Sequence, residues 1–587
     1  MTRKRWLVYP HDAARVQDLE RTLGVSPVVA QLLLRRQVTD PKLAQQFLDP
    51  RLSELRDPNA LPGMDRAATL VHQALTQKNK IVVYGDYDAD GMTATAILVG
   101  CLNLLGGCVS YFVPNRLDDG YGLNREAISQ LRDRGAELLI TVDCGIGSLD
   151  CAQHARELGL QLVITDHHQI GADLPIADAI VHPALPGANY PFHGLCGAAV
   201  AFKLAWAICQ RASHSTRVTP ELRDYLLMAL GLAAVGTVCD VVPLVDENRI
   251  IVRHGLTSIQ THGCLGLRGL VAVAGLDRRE QLSSEDLAFG IGPRLNAAGR
   301  LGQAQLGVEL LTSQNQSRVA ALAEYLQQLN LSRDSLDRSI HLAANKQIKE
   351  QFAADHDPAF VLADRDWHAG VIGIVAGRVA EKLHRPTILI SLDALHAKPA
   401  VGSGRSAGGL DLYQALHHCR DHLLTFGGHA AAAGLRIDED QIQPFRESFC
   451  EFVAQHLSPD ERLAELQIDV EATLSQLTLE TLRDVERLAP FGQANPRPIL
   501  CATQVHLTEA PRRMGNGQRH LSMRFIQHGV RMRAVAFGRA DWAEHMQDLA
   551  QPLDLAFHPV INDFNGHRRV ELQLLDWRRS ATAAVHT

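Results

Sequence analysis

The sequence predicts an α/β protein with a parallel sheet, a long connecting helix, a second and smaller α/β block, and a C-terminal β-barrel or sandwich. Residues 80–245 alternate Val/Ile/Leu-rich runs with amphipathic segments, which is typical of a parallel sheet covered by helices on both faces. Residues 319–352 place apolar side chains three, four and seven positions apart, which predicts one long helix. Short alternating segments in residues 465–578 favour a small β domain.

Length and composition bound the class of protein. The chain has 587 residues, of which 46% are hydrophobic, enough for several globular domains of ~100–200 residues each. The eleven cysteines are scattered, which indicates reduced thiols and a cytoplasmic location. The basic start contains only the short apolar run "WLVY", so we expect neither a signal peptide nor a membrane segment. The net charge of −7 means that any binding of nucleic acid depends on local basic patches.

Five strands are predicted in the first block: "KIVVYG", "CVSYFVP", "ELLITVDCG", "LQLVITDHH" and "DAIVHP". We expect the chain to divide into an N-terminal segment (1–50), a first α/β domain (51–245), a helical region with the connecting helix (246–352), a second α/β domain (353–460) and the β domain (461–578).

Acidic residues follow three of the predicted strands. Asp86, Asp88 and Asp90 follow the first, Asp143 follows another, and Asp166-His167-His168 follow a third. The carboxyl ends of parallel strands lie at the same edge of a sheet, so these side chains converge on one crevice. The spacing of the first three also matches the start of an EF-hand loop, but the twelfth loop position is Ile97 rather than Glu, and a strand precedes the loop instead of a helix.

Clustered carboxylates repel one another unless a cation lies among them. Asp and His ligands without cysteine suit Mn²⁺ or Mg²⁺, and Asp240 in "GTVCDVVPL" adds a further candidate. These ligands exceed what one ion needs, so the sequence predicts a two-metal site for phosphoryl transfer. Taken singly, each residue could equally be a loop acid or a solvated histidine.

The motifs "GDYDADG", "TVDCGIG", "TDHH" and "GTVCDVVPL" resemble those of the DHH phosphoesterase superfamily, and "FGGHAAAAGL" resembles its DHHA1 signature. "DRDWHAGVIGIVAGRV" and "GSGRS" narrow the resemblance to the RecJ-type family. The resemblance covers residues 50–578. It implies a parallel-sheet DHH domain, joined by the long helix to a DHHA1 domain, and a C-terminal OB-type barrel.

The resemblance also implies roles for particular residues. One metal ion would use Asp88 and Asp143, and the other would use Asp90, Asp143, His167 and Asp240, with Asp143 bridging both. Asp86 would support the first ion, and His168 would face the scissile phosphate. Many superfamily members have histidine where this chain has Tyr84, which leaves the ligands of the first ion open.

Three glycine-containing motifs are candidates for phosphate contact, because glycine lets backbone N–H groups approach an anion. "FGGHAAAAGL" contributes Gly427, Gly428 and His429, which could donate to the phosphate. "GSGRS" contributes Ser403, Arg405 and Ser406, and "GIGPRLNAAGRLG" contributes Arg294, Asn296 and Arg300. Each motif is also compatible with simple turns, capping and packing.

Residues 510–540 contain seven arginines and no acid. With Phe525 and Phe537 interleaved, the stretch resembles an OB-type surface for single-stranded nucleic acid, although a solvated strand face is an alternative. The candidate DNA-binding residues are Arg512, Arg513, Arg519, Arg524, Phe525, Arg531 and Arg533. "HHCRDH" places His418 and His422 four residues apart on a predicted helix, and we interpret it as a solvated face rather than a zinc site.

The resemblance implies a metal-dependent 5′→3′ exonuclease that acts on single-stranded DNA in recombination and repair, with two Mn²⁺ or Mg²⁺ ions as cofactors. Single-strand-binding protein and a RecQ-type helicase are expected partners, and the protein is expected to be a monomer. Two alternatives are a DHH phosphoesterase for short oligonucleotides or cyclic dinucleotides and a catalytically silent DNA-binding replication subunit. The intact candidate ligands speak against the silent subunit.

Overall fold

The structure is a computed structural model and describes residues 4–115, 122–353, 356–393, 395, 398–458, 461–546, 551–564 and 566–580. The first elements in chain order are β1 (Arg5–Val8), α1 (Ala13–Leu23), α2 (Pro27–Arg35), α3 (Pro41–Leu48), α4 (Met64–Gln77), β2 (Lys80–Tyr84), α5 (Ala89–Leu104), β3 (Cys108–Phe112), α6 (Arg125–Asp133), β4 (Leu138–Val142), α7 (Leu149–Glu157), β5 (Gln161–Thr165), β6 (Ala179–Val181), α8 (Gly197–Ala212), α9 (Pro220–Cys239), α10 (Asp246–His262) and α11 (Leu265–Val273).

The chain continues through α12 (Ser284–Asp286), a π-helical turn (Leu287–Ile291), α13 (Gly292–Arg300), α14 (Ala304–Thr312), α15 (Gln316–Gln351), β7 (Phe360–Asp364), α16 (Ile372–Leu383), β8 (Thr387–Ser391), β9 (Ala400–Arg405), α17 (Leu412–His418), β10 (Thr425–Gly428), β11 (Ala432–Ile437) and α18 (Ile442–His456). The last elements are β12 (Glu465–Ile468), β13 (Val470–Glu471), α19 (Leu479–Glu486), β14 (Leu500–Leu507), β15 (Arg512–Met514), β16 (His520–Gln527), β17 (Val530–Ala536), β18 (Leu553–Phe564) and β19 (His567–Arg579).

Two compact units are present. The first contains Arg56–Val242 and Asp246–Ala464, and the second contains Arg5–Leu55, Pro243–Val245 and Glu465–Thr587. The N-terminal segment therefore belongs to the same unit as the C-terminal β domain. The domain limits expected from the sequence stay predictions.

The first sheet of unit one has five parallel strands in the order β3-β2-β4-β5-β6. All five predicted strands are confirmed. The central strands β2 and β4 are almost wholly buried, which explains their continuous apolar sequences. Since the strands are parallel, the loops after β2, β4 and β5 leave the sheet at one edge and carry the candidate metal ligands there.

The predicted connecting helix is confirmed as α15, which begins three residues before Val319. It leads to a second sheet in the order β10-β11-β9-β8-β7, in which only β7 and β8 are parallel. The residues on one face of α15 are buried, and these include the apolar Val319, Leu326 and Ile340.

The C-terminal sheet of unit two has seven strands in the order β13-β14-β18-β19-β17-β16-β15. An additional pairing between β14 and β16 closes it into a barrel. The predicted OB-type β domain is therefore confirmed.

One helix among the described residues, α9, is long and apolar enough to cross a membrane by length and composition. In the structure, 67% of its apolar window is buried inside the protein, which is the arrangement of a core helix.

Candidate active site

The loop after β2 brings its acidic side chains to the N-termini of two helices. Oδ1 of Asp88 accepts hydrogen bonds from the N–H groups of Asp90 (2.9 Å) and Gly91 (3.0 Å), and thereby caps α5. The buried carboxylate of Asp90 accepts from the N–H groups of Gly197 (2.6 Å) and Ala198 (2.9 Å) at the start of α8. Helix N-termini stabilise negative charge, so these hydrogen bonds offset part of the cost of placing carboxylates here. Burial and the neighbouring Asp90 nevertheless raise the pKa of Asp88 above its usual range.

Helix α9 packs directly onto this cluster. A Cβ atom on Gly236 would lie only 2.4 Å from Oδ1 of Asp90, so glycine is required for the approach. The same helix ends at Cys239, and the carboxylate of the next residue, Asp240, lies near Asp90 and His167.

Asp143 and His167 connect the strand ends. Asp143 follows β4 with a φ of 61°, a left-handed conformation that Asp tolerates better than most residues. Nε2 of His167 lies 3.1 Å from Oδ1 of Asp143, 3.5 Å from Oδ2 of Asp240 and 3.9 Å from Oδ2 of Asp90. The strand-end residues predicted to converge are therefore in contact range.

Three overlapping sets of possible ligand atoms result, and within each set the atoms lie within 4.8 Å of one another. The sets are Asp86–Asp88–Asp143, Asp90–His167–Asp240 and Asp143–His167–His168. Asp143 and His167 each belong to two sets. Of these two side chains only the Asp143 carboxylate, with two oxygens, can bridge neighbouring ions, because Nε2 of His167 has a single lone pair.

The electrostatics of the cluster fit divalent cations. Burial, then the charges of Asp90, Asp88, Asp86 and Asp240, raise the pKa of Asp143 well above its usual range. Burial and the same kind of repulsion raise the pKa of Asp240 to about 9. Nε2 of His167 and Oδ2 of Asp240 are buried and form no hydrogen bond with the described residues. Cations among these oxygens and nitrogens would offset the repulsion and occupy the unused ligand atoms.

Asp166 positions His168. One carboxylate oxygen of Asp166 accepts from Nδ1 of His168 at 2.7 Å and from the N–H groups of His167 and His168, and the other accepts from the N–H of Ile146. Burial lowers the pKa of His168, but the hydrogen bond to Asp166 and neighbouring carboxylates outweigh it and raise the pKa to about 9. The sequence places Asp166 at the end of a predicted strand, but its role as the orienting partner of His168 is visible only in three dimensions.

Tyr84 is a packing residue. Its buried ring contacts Phe112 with centroids 5.0 Å apart, and its hydroxyl donates to the carbonyl of Gly122 at 3.2 Å. The side chain belongs to the apolar cluster that includes Val82 and Ile128. These contacts give no support to the idea that Tyr84 completes a metal shell.

Helix α13 contacts the loop between β2 and α5 (residues 85–88), which we call the catalytic loop. Oδ1 of Asn296 accepts from the N–H of Ala89 at 2.9 Å, and Gly299 lies against the carbonyl of Tyr87. The guanidinium of Arg294 donates to the carbonyls of Gly290 and Val273, and Arg300 donates to the carbonyl of Gly370 at 3.2 Å. The structure thus gives Arg294, Asn296 and Arg300 internal partners, and their proposed contacts with substrate stay predictions.

The "GSGRS" motif forms β9 and lies beside the start of α16. Arg405 donates to Oγ of Ser403 (3.1 Å) and to the carbonyl of Gly404 (2.7 Å), and its guanidinium lies against Gly373 in the first turn of α16. Ser406 donates instead to the carbonyl of Leu410. A guanidinium at a helix N-terminus is well suited to binding a phosphate.

"FGGHAAAAGL" forms the hairpin of β10 and β11. Gly427 and Gly428 lie at the end of the edge strand β10, and His429 begins the exposed turn, where its N–H donates to the carbonyl of Ala432. The motif therefore offers exposed backbone and an exposed imidazole at one sheet edge.

The prediction that His418 and His422 share one helix is wrong. α17 ends at His418, and His422 lies in a separate short 3₁₀ turn, where Nδ1 is 3.3 Å from Oε1 of Gln441. The two histidines do not form a ligand set with any Cys, Asp or Glu among the described residues.

The arginine-rich segment forms β15, β16 and β17 of the barrel. Arg524 lies directly opposite Arg533 across β16 and β17, and both are exposed on the outer face. An open groove of about 910 Å³ is lined by Arg524, Arg531, Met532, Arg533, Asn562, His567, Arg569, Val570 and Glu571. Arg524 and Arg533 each have an acidic partner, since Arg524 lies 3.6 Å from Glu509 and Arg533 lies 2.6 Å from Glu571, so the positive charge available to an anionic ligand lies on the other arginines of the groove.

The other arginines differ in their surroundings. Arg512 pairs with Glu509, Arg513 with Glu544 and Arg533 with Glu571. No ion pair of Arg519, Arg531 or Arg569 is present among the described residues. Arg569 was missed because it lies on β19, outside the arginine-rich segment.

One candidate in the barrel is corrected. Phe525 is fully buried in the barrel core, because residues alternate in and out along β16, so it cannot stack on a base. Phe537, which follows β17, is 55% exposed and contacts the ring of His520.

Family profiles match three parts of the chain. They are described as "DHH family, N-terminal domain" (residues 80–230), "DHHA1 domain" (356–455) and "RecJ OB domain" (468–576). They coincide with the first sheet, the second sheet and the barrel.

Curated proteins named "Single-stranded-DNA-specific exonuclease RecJ" are similar over nearly the whole chain. The Haemophilus influenzae protein is 36% identical, with 94% of this chain and 96% of that protein covered. The Escherichia coli protein is 33% identical, with 95% and 97% covered.

A solved structure has the same fold. The crystal structure of RecJ in complex with Mn²⁺ from Thermus thermophilus matches with a TM-score of 0.82 and 32% identity, and the match covers 99% of this chain and 80% of that one. A Mg²⁺ complex from the same organism matches with a TM-score of 0.77. The chain belongs to the RecJ family of the DHH/DHHA1 phosphoesterases.

Proposed function

We propose that this protein is a metal-dependent exonuclease specific for single-stranded DNA, which degrades the strand from its 5′ end and releases 5′-mononucleotides. The observation that carries the proposal is the buried cluster of aspartates with His167, in which the carboxylate of Asp143 is shared between two neighbouring ligand sets. Such sharing is what a two-metal phosphodiesterase site requires.

The ligand assignment follows the resemblance to RecJ proteins, and the sets Asp86–Asp88–Asp143 and Asp90–His167–Asp240 are consistent with it. Asp88 and Asp143, supported by Asp86, would hold one Mn²⁺ or Mg²⁺ ion, and Asp90, Asp143, His167 and Asp240 would hold the other. When bound, the ions supply a nucleophilic hydroxide and charge stabilisation at the phosphate. His168, held by Asp166, presents its remaining imidazole nitrogen to the phosphate oxygens.

The second lobe contributes phosphate contacts. Arg405 and Ser403 beside the start of α16, with His429 and the exposed backbone of Gly427 and Gly428, form two anion-binding places near the ends of β9 and β10. We assign them to phosphates of the substrate strand. Specificity for single strands is attributed to a narrow groove between the two α/β lobes.

The barrel is assigned to binding of the strand beyond the reacting nucleotide. Its open groove presents several guanidinium groups, of which Arg531 and Arg569 have no acidic partner among the described residues. Contacts of this kind bind the phosphate backbone at any sequence and weaken with salt.

The resemblance to RecJ proteins supplies several further expectations. These are the 5′→3′ polarity, the monomeric state, the role in recombination and repair, and association with single-strand-binding protein and a RecQ-type helicase. The cytoplasmic location is inferred from the scattered cysteines.

Degradation of end-labelled strands tests the function. A 5′-labelled single strand should release labelled mononucleotide at once with Mn²⁺ or Mg²⁺, whereas a 3′-labelled strand should shorten progressively. Blunt duplex DNA and single-stranded RNA should be degraded far more slowly. Hydrolysis confined to dinucleotides or cyclic dinucleotides would instead identify a small-substrate phosphodiesterase, and binding without hydrolysis would identify a silent subunit.

A further inference from the structure

A group of aromatic and histidine rings forms a surface on the second lobe, beside the hairpin of β10 and β11 but made of residues not assigned above. We call it the ring patch. It is built from α17, α18 and β10, and its members are Tyr413, His417, His418, Phe426, Phe452 and His456. Only 5% of the chain is Phe, Trp or Tyr, so this is a marked local concentration of rings.

The rings contact one another in two groups. Phe426 lies between Tyr413 and His417, with centroid distances of 5.7 and 6.3 Å. Phe452 lies between His418 and His456, with centroid distances of 5.1 and 3.9 Å. Because the central phenylalanines are shielded, the outer rings are held in place by packing while they remain exposed.

A shallow groove of about 410 Å³ runs along this surface. It is lined by Tyr413, Gln414, His417, His418, Arg420, Phe452 and His456. The lining contains one guanidinium and several rings with polar edges, and the carboxylate of Asp421, outside the lining, lies 3.8 Å from the guanidinium of Arg420. Flat rings beside a cation are suited to nucleobases on a phosphate backbone, whereas an apolar peptide would need more aliphatic surface.

The ring patch is continuous with a candidate phosphate site. Phe426 precedes Gly427 and Gly428 on β10, and the N–H of Leu412, at the start of α17, donates to the carbonyl of Ala430 in the hairpin turn at 2.9 Å. A strand whose phosphate contacts that hairpin would have its neighbouring bases beside the outer rings.

We infer that the ring patch is a base-stacking surface for single-stranded DNA, and that Tyr413 and His417 are its principal contacts. The inference rests on the proposed function, because it assigns part of the substrate strand to this surface. Stacking on rings accepts every base, which suits an enzyme that must move along any sequence.

The test measures binding of two ligands in EDTA, a 20-nucleotide dT strand and an abasic strand of the same length, and separately the turnover of a dinucleotide with Mn²⁺. The double variant Tyr413→Ala/His417→Ala should bind the dT strand about tenfold more weakly, as expected for the loss of about one stacked base. Its affinity for the abasic strand and its turnover of the dinucleotide with Mn²⁺ should be unchanged. The variant Tyr413→Phe/His417→Phe keeps both rings and should bind like the parent protein.

Tyr325→Ala is the matched control, since Tyr325 is 41% exposed on α15 and Tyr413 is 43% exposed. Photocross-linking of a 4-thiothymidine strand to residues 412–420 of the unaltered protein gives an independent readout that needs no variant. Equal weakening on dT and abasic strands would overturn stacking in favour of a charge or folding effect. Unchanged dT binding or absent cross-links would also overturn it and would leave the surface to a protein partner. Failure of the parent protein to release mononucleotides from the dT strand with Mn²⁺ would count against the proposed function alone, because the binding measurements in EDTA do not depend on cleavage.

Discussion

Replacement of Asp143 by Asn should separate the catalytic role of the cluster from its cost to folding. Asp143 is 2% exposed and belongs to two ligand sets. Asn has nearly the same shape but no charge, so the packing around it is kept. Both ions lose a shared ligand, and we expect the rate to fall by about 1,000-fold or more, equivalent to roughly 4 kcal/mol of barrier.

The same replacement should stabilise the metal-free protein, although it lowers the activity. Two carboxylates about 4.8 Å apart repel by roughly 3 kcal/mol at an effective dielectric constant of about 20, and Asp86 and Asp88 lie within 4.8 Å of Asp143. Part of this cost is already relieved by proton uptake, so removal of one charge should raise the free energy of unfolding in EDTA by about 1–3 kcal/mol.

The assays are mononucleotide release with Mn²⁺ and thermal unfolding in EDTA. Asp150→Asn, an exposed acid on α7, is the control and should alter neither. Retention of more than a tenth of the parent rate would refute the assignment of Asp143 as a shared ligand. A lower unfolding temperature in EDTA would refute the repulsion argument.

Three further predictions follow from the geometry. Tyr84→Phe should leave the Mn²⁺ titration of activity unchanged and cost about 1 kcal/mol of stability through the lost hydrogen bond; Tyr84→His should be less stable and should not bind metal more tightly. Gly299→Ala should reduce the rate about 100-fold, because its Cβ would lie 2.1 Å from the carbonyl oxygen of Tyr87 and displace the catalytic loop. The barrel-groove double variant Arg531→Ala/Arg569→Ala should bind long strands more weakly at every sequence, with the slope of log K against log salt reduced by roughly 1.4, and should cleave dinucleotides normally. Neither arginine has an acidic partner among the described residues, whereas Arg524 pairs with Glu509.

Two of these predictions have a matched control variant. Gly377→Ala on α16 has its nearest atom 3.7 Å away and should be silent. Arg568→Ala removes an arginine that pairs with Asp563 on the same hairpin, and it should leave the salt slope nearly intact. A tighter Mn²⁺ titration for Tyr84→His would place that position in the metal shell after all. Equal loss on short and long strands would move the groove arginines into the active site or into folding.

Much of the site was predictable from local sequence. The strands before Asp86, Asp143 and Asp166 are continuous apolar runs, and parallel strands bring their carboxyl ends together. The convergence of the acids therefore follows from the order of strands and helices. The hydrogen-bond partner of each side chain does not follow from that order. Residue spacing predicts neither the hydrogen bond from Ala89 to Asn296 nor the role of Asp166.

The errors have physical reasons as well. Phe525 was placed on a surface because it stands among arginines, but residues alternate along a strand and its neighbours point outward. The histidines of "HHCRDH" were assigned to one helix, whereas α17 ends at His418, within the pair.

The sequence by itself determined the fold class of the main domains, the candidate metal ligands and the family. Only the tertiary structure decided how distant segments share a core. Arg5–Val8 pairs in parallel with Glu465–Ile468, and Val29 and Leu33 lie in the same apolar cluster as Leu500 of the barrel. Local periodicity tells which face of an element is apolar, but the partner of that face is chosen by packing among all elements, and no short stretch of sequence records that choice.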